Sequence, residues 1–208
     1  MKDKIKLLVK ELTSINGVSG NEQNVLDYIE TQVCDYVDEM KKDKFGNLIA
    51  LVKGNGTGSK IMIAAHVDEI GFCVKYINDS GFIYYNKVGT ASNKVMEGRR
   101  VWVNQNIPGV IGIKPGHLQS PEERFKVNDV RNCFIDIGAT SREEVEALGI
   151  EIGSPIAFQG EYMEMANKDL ICSKAIDDRI NCAVLIEVLR QIDKKSLTND
   201  LYAVFTVQ

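Results

Sequence analysis

The stretch from Lys60 to Phe72, KIMIAAHVDEIGF, constrains the fold of this chain more than any other. Five consecutive apolar residues, 61 to 65, stand directly before His66 and Asp68. The apolar run lacks the alternation of a strand with one solvated face, so it predicts a strand covered on both faces. Such strands are typical of α/β proteins, in which helices pack over a mostly parallel sheet. Open sheets of this class bind ligands at the carboxyl ends of their strands, where the polar residues follow.

His66 and Asp68 are two residues apart, so on an extended strand they would lie on the same face. A histidine with such a carboxylate can supply one metal ligand whose ring is oriented by the acid. A polar cap at the passage from strand to loop explains the same two residues equally well. Glu69 is expected to point away from both, because a strand alternates its faces. The spacing alone therefore leaves a metal site and a structural cap open.

A second acidic segment, KAIDDR at Lys174 to Arg179, opens the helical pattern INCAVLIEVLRQI. Asp177 and Asp178 stand at the predicted start of this helix. Helix N-termini favour aspartate for capping and for interaction with the helix dipole. The pair is therefore explained either by a capped helix or by a functional carboxylate.

Size and composition limit the classes of function. The chain has 208 residues, 44% of them apolar, which is enough for one large or two small domains. A net charge of -4, with no basic stripe, argues against nucleic acid as a partner. We expect no signal peptide and no membrane span. The five cysteines contain no C-x-x-C pair, so the simplest hypothesis is free thiols in the cytoplasm.

The segments before the central strand predict helices. Lys4 to Leu12 carries apolar residues at the i, i+3, i+4, i+7 spacing of an amphipathic helix. Ser19 precedes Glu22 by three residues, which is the spacing of a capping box. The helix predicted to follow buries the apolar residues Val25, Leu26, Ile29 and Val33.

After Gly71 the pattern changes to short strands separated by turns. FCVKYI and FIYYNKV flank a turn at Asn78 to Gly81 and predict a hairpin, and three strands follow in RRVWVN, GVIGIK and NCFIDIG. Helical periodicity resumes near Ser173. The pattern indicates a separate β-rich domain inserted into the first.

Several motifs in this order resemble one known family. AHVDEIGF is followed about a hundred residues later by AIDDR, then by a strand ending in TVQ; further matches are VSGNE, FGNLIA, KPGHLQSPEER and DIGATSREEVEALGIEIGSPIAF. Together they resemble the TET-type cocatalytic metalloaminopeptidases, which include glutamyl, leucyl and deblocking aminopeptidases and proteins labelled as cellulase or endoglucanase homologues. The resemblance covers essentially the whole chain.

The resemblance implies an α/β fold, part of a mixed α/β/α metallopeptidase sheet domain. Residues 1–69 and 165–208 would form this catalytic domain, and residues 70–164 an inserted β-barrel-like dimerisation domain. The implied activity is removal of N-terminal residues from peptides, and the implied partner is a second copy of the chain in a homo-oligomer. A glycanase would need a pair of carboxylates flanking a sugar, and no pair in this sequence is singled out for that role.

The resemblance also assigns site residues and cofactors. The family holds two divalent metals, zinc or cobalt, whose shared water attacks the scissile carbonyl. By matching position, His66 would bind one metal, Asp177 would bridge both, and Asp68 would be the catalytic residue that fixes the His66 ring from behind. Asp178 and Arg179 would have structural roles.

The remaining parts of the family mechanism find no match in this chain. It stops at Gln208, one residue before the family's Glu-Glu pair, so the general base and further ligands are missing. We therefore expect these 208 residues alone to be inactive, with a non-catalytic oligomerisation scaffold as the alternative. We expect His117 to be a packing or hydrogen-bonded residue, and Cys73 and Cys172 to be small buried hydrophobic residues rather than zinc ligands.

Overall fold

The computed structural model describes residues 2–208 and separates the chain into two compact units. The first unit is formed by the chain up to Glu69 together with Glu161–Gln208, and the second is the continuous segment Ile70–Gly160. The second unit is thus inserted between two parts of the first.

Helices and strands are numbered in chain order. They are α1 (Lys2–Ser14), α2 (Gln23–Val33), β1 (Glu39–Lys42), β2 (Leu48–Val52), β3 (Lys60–His66), β4 (Gly71–Ile77), β5 (Ile83–Val88), β6 (Arg100–Val103), β7 (Ile107–Gly112), β8 (Phe134–Asp136), α3 (Arg142–Ala147), β9 (Pro155–Phe158), β10 (Met163–Glu164), β11 (Ile171–Cys172), α4 (Ile176–Gln191) and β12 (Asp200–Thr206).

The first unit is built on a four-stranded sheet in the order β1-β2-β12-β3. β3 runs parallel to β12, whereas β12 with β2 and β2 with β1 are antiparallel. Every second residue of β2 is buried, and these residues join buried residues of β12 and of α1, α2 and α4 in one core. The predicted apolar stripes of α1 and α2 face this core; their buried members are Leu8, Val9, Leu12, Val25, Leu26, Ile29 and Val33. The mixed α/β class is confirmed.

The predicted burial of β3 on both faces is wrong. Ile61, Met62 and Ile63 are exposed, and within the strand only Ala65 is fully buried. The cause is its position at the edge of the sheet, where β12 is its single neighbour. The apolar run therefore identifies the strand correctly, but its environment in the described part of the chain is open to solvent. The apolar strand β12, in contrast, has neighbours on both sides.

The second unit contains a closed barrel in the order β4-β5-β8-β7-β6-β9. The predicted hairpin is present as β4 and β5, which pair antiparallel across the turn near Asn78. Side chains from the strands fill the interior, and Val145 of α3 packs in the same core. The β-barrel-like character of the insert is confirmed. Its role in dimerisation stays a prediction.

Over residues 2–208, none of the helices is both long enough and apolar enough to cross a bilayer.

An edge strand with exposed apolar side chains is a site of pairing between chains. We expect Met62→Lys to reduce self-association of the 208-residue chain, because the Met62 side chain is 71% exposed and lysine blocks pairing of edge strands. Sedimentation velocity at matched concentrations measures the effect. Leu7→Lys, which replaces an exposed leucine on α1 and not on the edge strand, is the control. A monodisperse monomer for the unaltered chain would contradict the expectation.

Candidate metal centre

The candidate site lies at the carboxyl end of β3. His66 is the last residue of the strand, and the parallel register places it beside Thr206 of β12. Asp177, 111 residues further along the chain, reaches the same point from the start of α4. Because β3 and β12 are parallel, their carboxyl ends lie side by side, and the Asp177 carboxylate at the start of α4 contacts His66 at this end of the sheet.

The structure brings together all three residues predicted for the site. His66 Nδ1 lies 2.9 Å from Asp68 Oδ1, and His66 Nε2 lies 3.1 Å from Asp177 Oδ1. The Asp68 side chain is 16% exposed, whereas that of Asp177 is 96% exposed. One side of the imidazole thus meets a sheltered carboxylate, and the other meets a carboxylate in solvent.

The two carboxylates change the protonation of the ring. Burial lowers the pKa of His66, but the hydrogen bonds with Asp177 and Asp68 outweigh burial and raise the pKa above its ordinary value. Because ionised carboxylates only accept hydrogen bonds, the charged ring donates from both nitrogens. A cation that binds at Nε2 must therefore replace a proton there.

The interpretation of the Asp-Asp pair as simple helix caps is wrong. The backbone of Asp177 and Asp178 is not helical, and the residue before α4, Ala175, accepts no side-chain cap bond. Asp177 instead faces His66, while Asp178 accepts a hydrogen bond from the side chain of Asn181 at 2.6 Å. Both carboxylates find side-chain partners, so the first turn of α4 is shaped by the site.

The predicted capping box of Ser19 and Glu22 is also wrong. The Ser19 hydroxyl donates to Oδ2 of Asp68, and α2 begins at Gln23 without a side-chain cap. The Glu22 carboxylate accepts from the backbone nitrogens of Gly20 at 2.8 Å and Gln208 at 3.2 Å. Sequence spacing could not reveal a partner 49 residues away.

The loop before α2 is fastened to the end of β3 by Glu69. The backbone nitrogen of Glu69 donates to the Gly17 carbonyl, and the Glu69 carboxylate accepts from the Gly17 nitrogen, both at 2.9 Å. Lys174 Nζ lies 2.7 and 3.0 Å from the two carboxylate oxygens, and both side chains are almost fully buried. Burial lowers the pKa of Lys174 and outweighs the attraction of Glu69. Glu69 is therefore a structural anchor.

Arg179 stabilises the same region through hydrogen bonds to backbone carbonyl oxygens. Its side chain is fully buried and donates to the carbonyl oxygens of Val67, Leu12 and Ile15. A Cβ at Gly17 would lie 2.7 Å from Arg179 Nη2, so only glycine fits at that close approach. Arg179 thus links β3, α1 and the loop before α2.

The other histidine and the cysteines lie outside this cluster. His117 is exposed in a short 3-10 turn of the second unit. Cys172 is exposed and Cys73 is half-buried, so burial was predicted wrongly for Cys172, which lies in a two-residue surface strand. Cys182 is buried, and its thiol donates to the His66 carbonyl at 3.2 Å. Burial raises the pKa of Cys182 to about 12, so this thiol stays protonated.

The donor set fits a divalent metal in part. An imidazole nitrogen and a carboxylate are both ligands of zinc, and His66 and Asp177 supply one each. Among residues 2–208, no cluster of three or more histidine, cysteine, aspartate and glutamate side chains is placed to hold a metal. Zinc sites use at least three protein ligands, so further donors are needed to complete this one.

Known proteins match most of the chain. Residues 46–208 match the family model described as M42 glutamyl aminopeptidase. A lysyl aminopeptidase of Pyrococcus furiosus is 31% identical over 207 residues, which is 97% of this chain and 58% of the relative.

Solved structures resemble the whole chain. A TET aminopeptidase from a marine sediment archaeon of the Thaumarchaeota has a TM-score of 0.91 at 36% identity, covering 99% of this chain and 59% of that one. A TET peptidase of Pyrococcus horikoshii, described as assembling into a tetrahedron or a large octahedral shell, has a TM-score of 0.87 at 32% identity, covering 98% and 61%. This chain spans a little over half the length of the proteins that it matches.

The role of Arg179 as a support can be measured. We expect Arg179→Met to lower the free energy of unfolding by about 3 kcal/mol, because it removes the charged donor that binds the carbonyl oxygens of Val67, Leu12 and Ile15. Urea denaturation gives the value. Lys10→Met, which removes an exposed charge from α1, should change the free energy by less than about 0.5 kcal/mol. A loss for Arg179→Met as small as that of Lys10→Met would show that Arg179 does not support the site.

Proposed function

The chain belongs to the M42 glutamyl aminopeptidase family, and we propose that the whole protein hydrolyses the N-terminal bond of peptides with the help of two bound divalent metal ions. The observation that carries the proposal is the orientation of His66. Nδ1 of the His66 ring is hydrogen-bonded to Oδ1 of Asp68 at 2.9 Å, and Nε2 lies 3.1 Å from Oδ1 of Asp177. A histidine held in this way is a typical metal ligand.

Each residue of the cluster has a distinct part in the proposal. Asp68 keeps a proton on Nδ1, so that the lone pair of Nε2 points at the metal position. His66 and Asp177 would hold the first ion, and the exposed Asp177 carboxylate would also serve the second. Zinc and cobalt both accept this mixture of nitrogen and oxygen ligands. When bound, the ions supply Lewis acidity, which polarises the peptide carbonyl and acidifies water.

The proposal requires groups beyond the cluster. Hydrolysis needs further metal ligands and a carboxylate that accepts a proton from water, and Glu69 is committed to Lys174 and Gly17. We therefore propose that the 208 residues alone are inactive and that the missing groups come from outside them. The second candidate function, a scaffold without catalysis, is favoured by the absence of a three-ligand cluster among the described residues.

The barrel of the second unit provides the proposed contact between copies. The Pyrococcus horikoshii peptidase is described as assembling into a tetrahedron or a large octahedral shell. We propose that the present protein forms a homo-oligomer through residues of its barrel and acts on peptides in the cytoplasm.

The activity is tested in a chimera. Residues 1–208 are joined to the part of the Pyrococcus furiosus lysyl aminopeptidase that follows its matching region. With added zinc or cobalt, we expect hydrolysis of lysyl, leucyl or glutamyl p-nitroanilide and none of the N-acetylated substrates. Asp177→Asn should lower kcat/KM at least about 100-fold, because the bridging carboxylate is lost.

Two controls separate the candidate functions. Asp193→Asn alters an exposed carboxylate after α4 and should leave kcat/KM unchanged. The 208 residues without the added part should release no p-nitroaniline. A folded chimera with no metal-dependent activity would favour the scaffold, and turnover by the 208 residues that is lost in Asp177→Asn would contradict their proposed inactivity.

A further inference from the structure

We propose that Ser19 is a positioning residue for the metal centre. Its hydroxyl fixes the Asp68 carboxylate, which in turn fixes the His66 ring with the proton on Nδ1 and the lone pair of Nε2 available to a cation. The inference rests on the proposed function and adds a residue from the loop before α2, a part of the chain whose spacing predicts only a helix cap.

Both oxygens of Asp68 have a defined partner. Oδ1 lies 2.9 Å from His66 Nδ1, and Oδ2 accepts the Ser19 hydroxyl. The Asp68 side chain is only 16% exposed, so water has limited access to replace either partner. A carboxylate held at both oxygens cannot rotate about its bond to Cβ without breaking a hydrogen bond. Ser19 therefore determines the plane in which Asp68 meets the ring.

The orientation matters because two carboxylates compete for the ring. A neutral imidazole has a single N–H group, which it can give either to Asp68 through Nδ1 or to Asp177 through Nε2. The Asp177 side chain is 96% exposed, so water competes for its oxygens, whereas the Asp68 side chain is 16% exposed. A fixed, sheltered Asp68 is the stronger acceptor. Loss of Ser19 would loosen Asp68 and shift the proton toward Nε2, the form that cannot bind a cation there.

The loop that carries Ser19 is itself held on both sides. Val18 forms a bridge with Glu69, and the Asn21 nitrogen donates to the Val18 carbonyl at 2.7 Å. Gly20 follows with a φ of 92° and donates to the buried Glu22 carboxylate. Glycine takes this left-handed conformation at little cost. These contacts fix the backbone on both sides of Ser19, and so fix the position of its hydroxyl beside Asp68.

The test reads the tautomer of His66 directly. The chain contains two histidines, so nitrogen-15 NMR of the metal-free 208-residue protein, at alkaline pH where the rings are neutral, gives two sets of ring signals. We expect His66 to be mainly the Nδ1–H form, and exposed His117 serves as the internal reference. Ser19→Ala should shift His66 toward the Nε2–H form, whereas Ser19→Thr, which keeps the hydroxyl, should preserve the Nδ1–H form.

The controls keep the test decisive. Ser14→Ala removes a hydroxyl of α1 that donates only to the Glu11 carbonyl, and it should leave the tautomer unchanged. If Ser19→Ala does not fold, Ser19→Cys replaces it, because a thiol of similar size is a weak donor. An unchanged His66 tautomer in the folded Ser19→Ala or Ser19→Cys protein would overturn the inference.

Cobalt affinity gives a second readout. In a titration of the chimera followed by visible absorption, Ser19→Ala should weaken Co²⁺ binding about tenfold and Ser19→Thr should not, since partners that orient a ligand typically contribute that much. Equal affinities would count against Ser19. If the unaltered chimera binds no cobalt, the proposed metal site fails, and the tautomer comparison still decides the role of Ser19.

Discussion

The parallel pairing of β3 with β12 is the constraint on which the candidate site depends. It places His66 beside Thr206 at the carboxyl edge of the sheet, where α4 starts and Asp177 can approach the ring. An antiparallel β3 would direct His66 to the opposite edge. The site is therefore a product of topology, since its members come from a strand end, a helix start and, through Ser19, the loop before α2.

Three buried charges hold these separate segments in register. Lys174 and Glu69 form a sheltered ion pair, and Arg179 donates to carbonyl oxygens of three segments. Burying charges is costly, and it is tolerated where each charge is paired or hydrogen-bonded. These buried charges contact Val67 and Glu69, the chain neighbours of His66 and Asp68. Stability and function are therefore coupled in the same few residues.

The class of fold and the barrel-like insert could be predicted, because apolar periodicity, short strands separated by turns and the motifs of a resembled family are all visible in the sequence. The resemblance also selected His66, Asp68 and Asp177, which the structure brings together, and their roles stay predictions. The sequence did not allow the environment of β3 to be predicted, since an apolar run has the same pattern at the edge of a sheet as at its centre. The partner of Ser19 was missed for a related reason. Capping spacing is a local rule, whereas the contact with Asp68 joins residues 49 positions apart.

The central claim is that His66 and Asp177 share a metal ion, and it is tested most directly by anomalous diffraction from crystals of the chimera, which supplies the further ligands, soaked in zinc. The account predicts an anomalous peak within bonding distance of both His66 Nε2 and an Asp177 carboxylate oxygen, with the Asp68 contact to Nδ1 retained. Zinc bound only at His117 or at the cysteines, with no peak between His66 and Asp177, would contradict it.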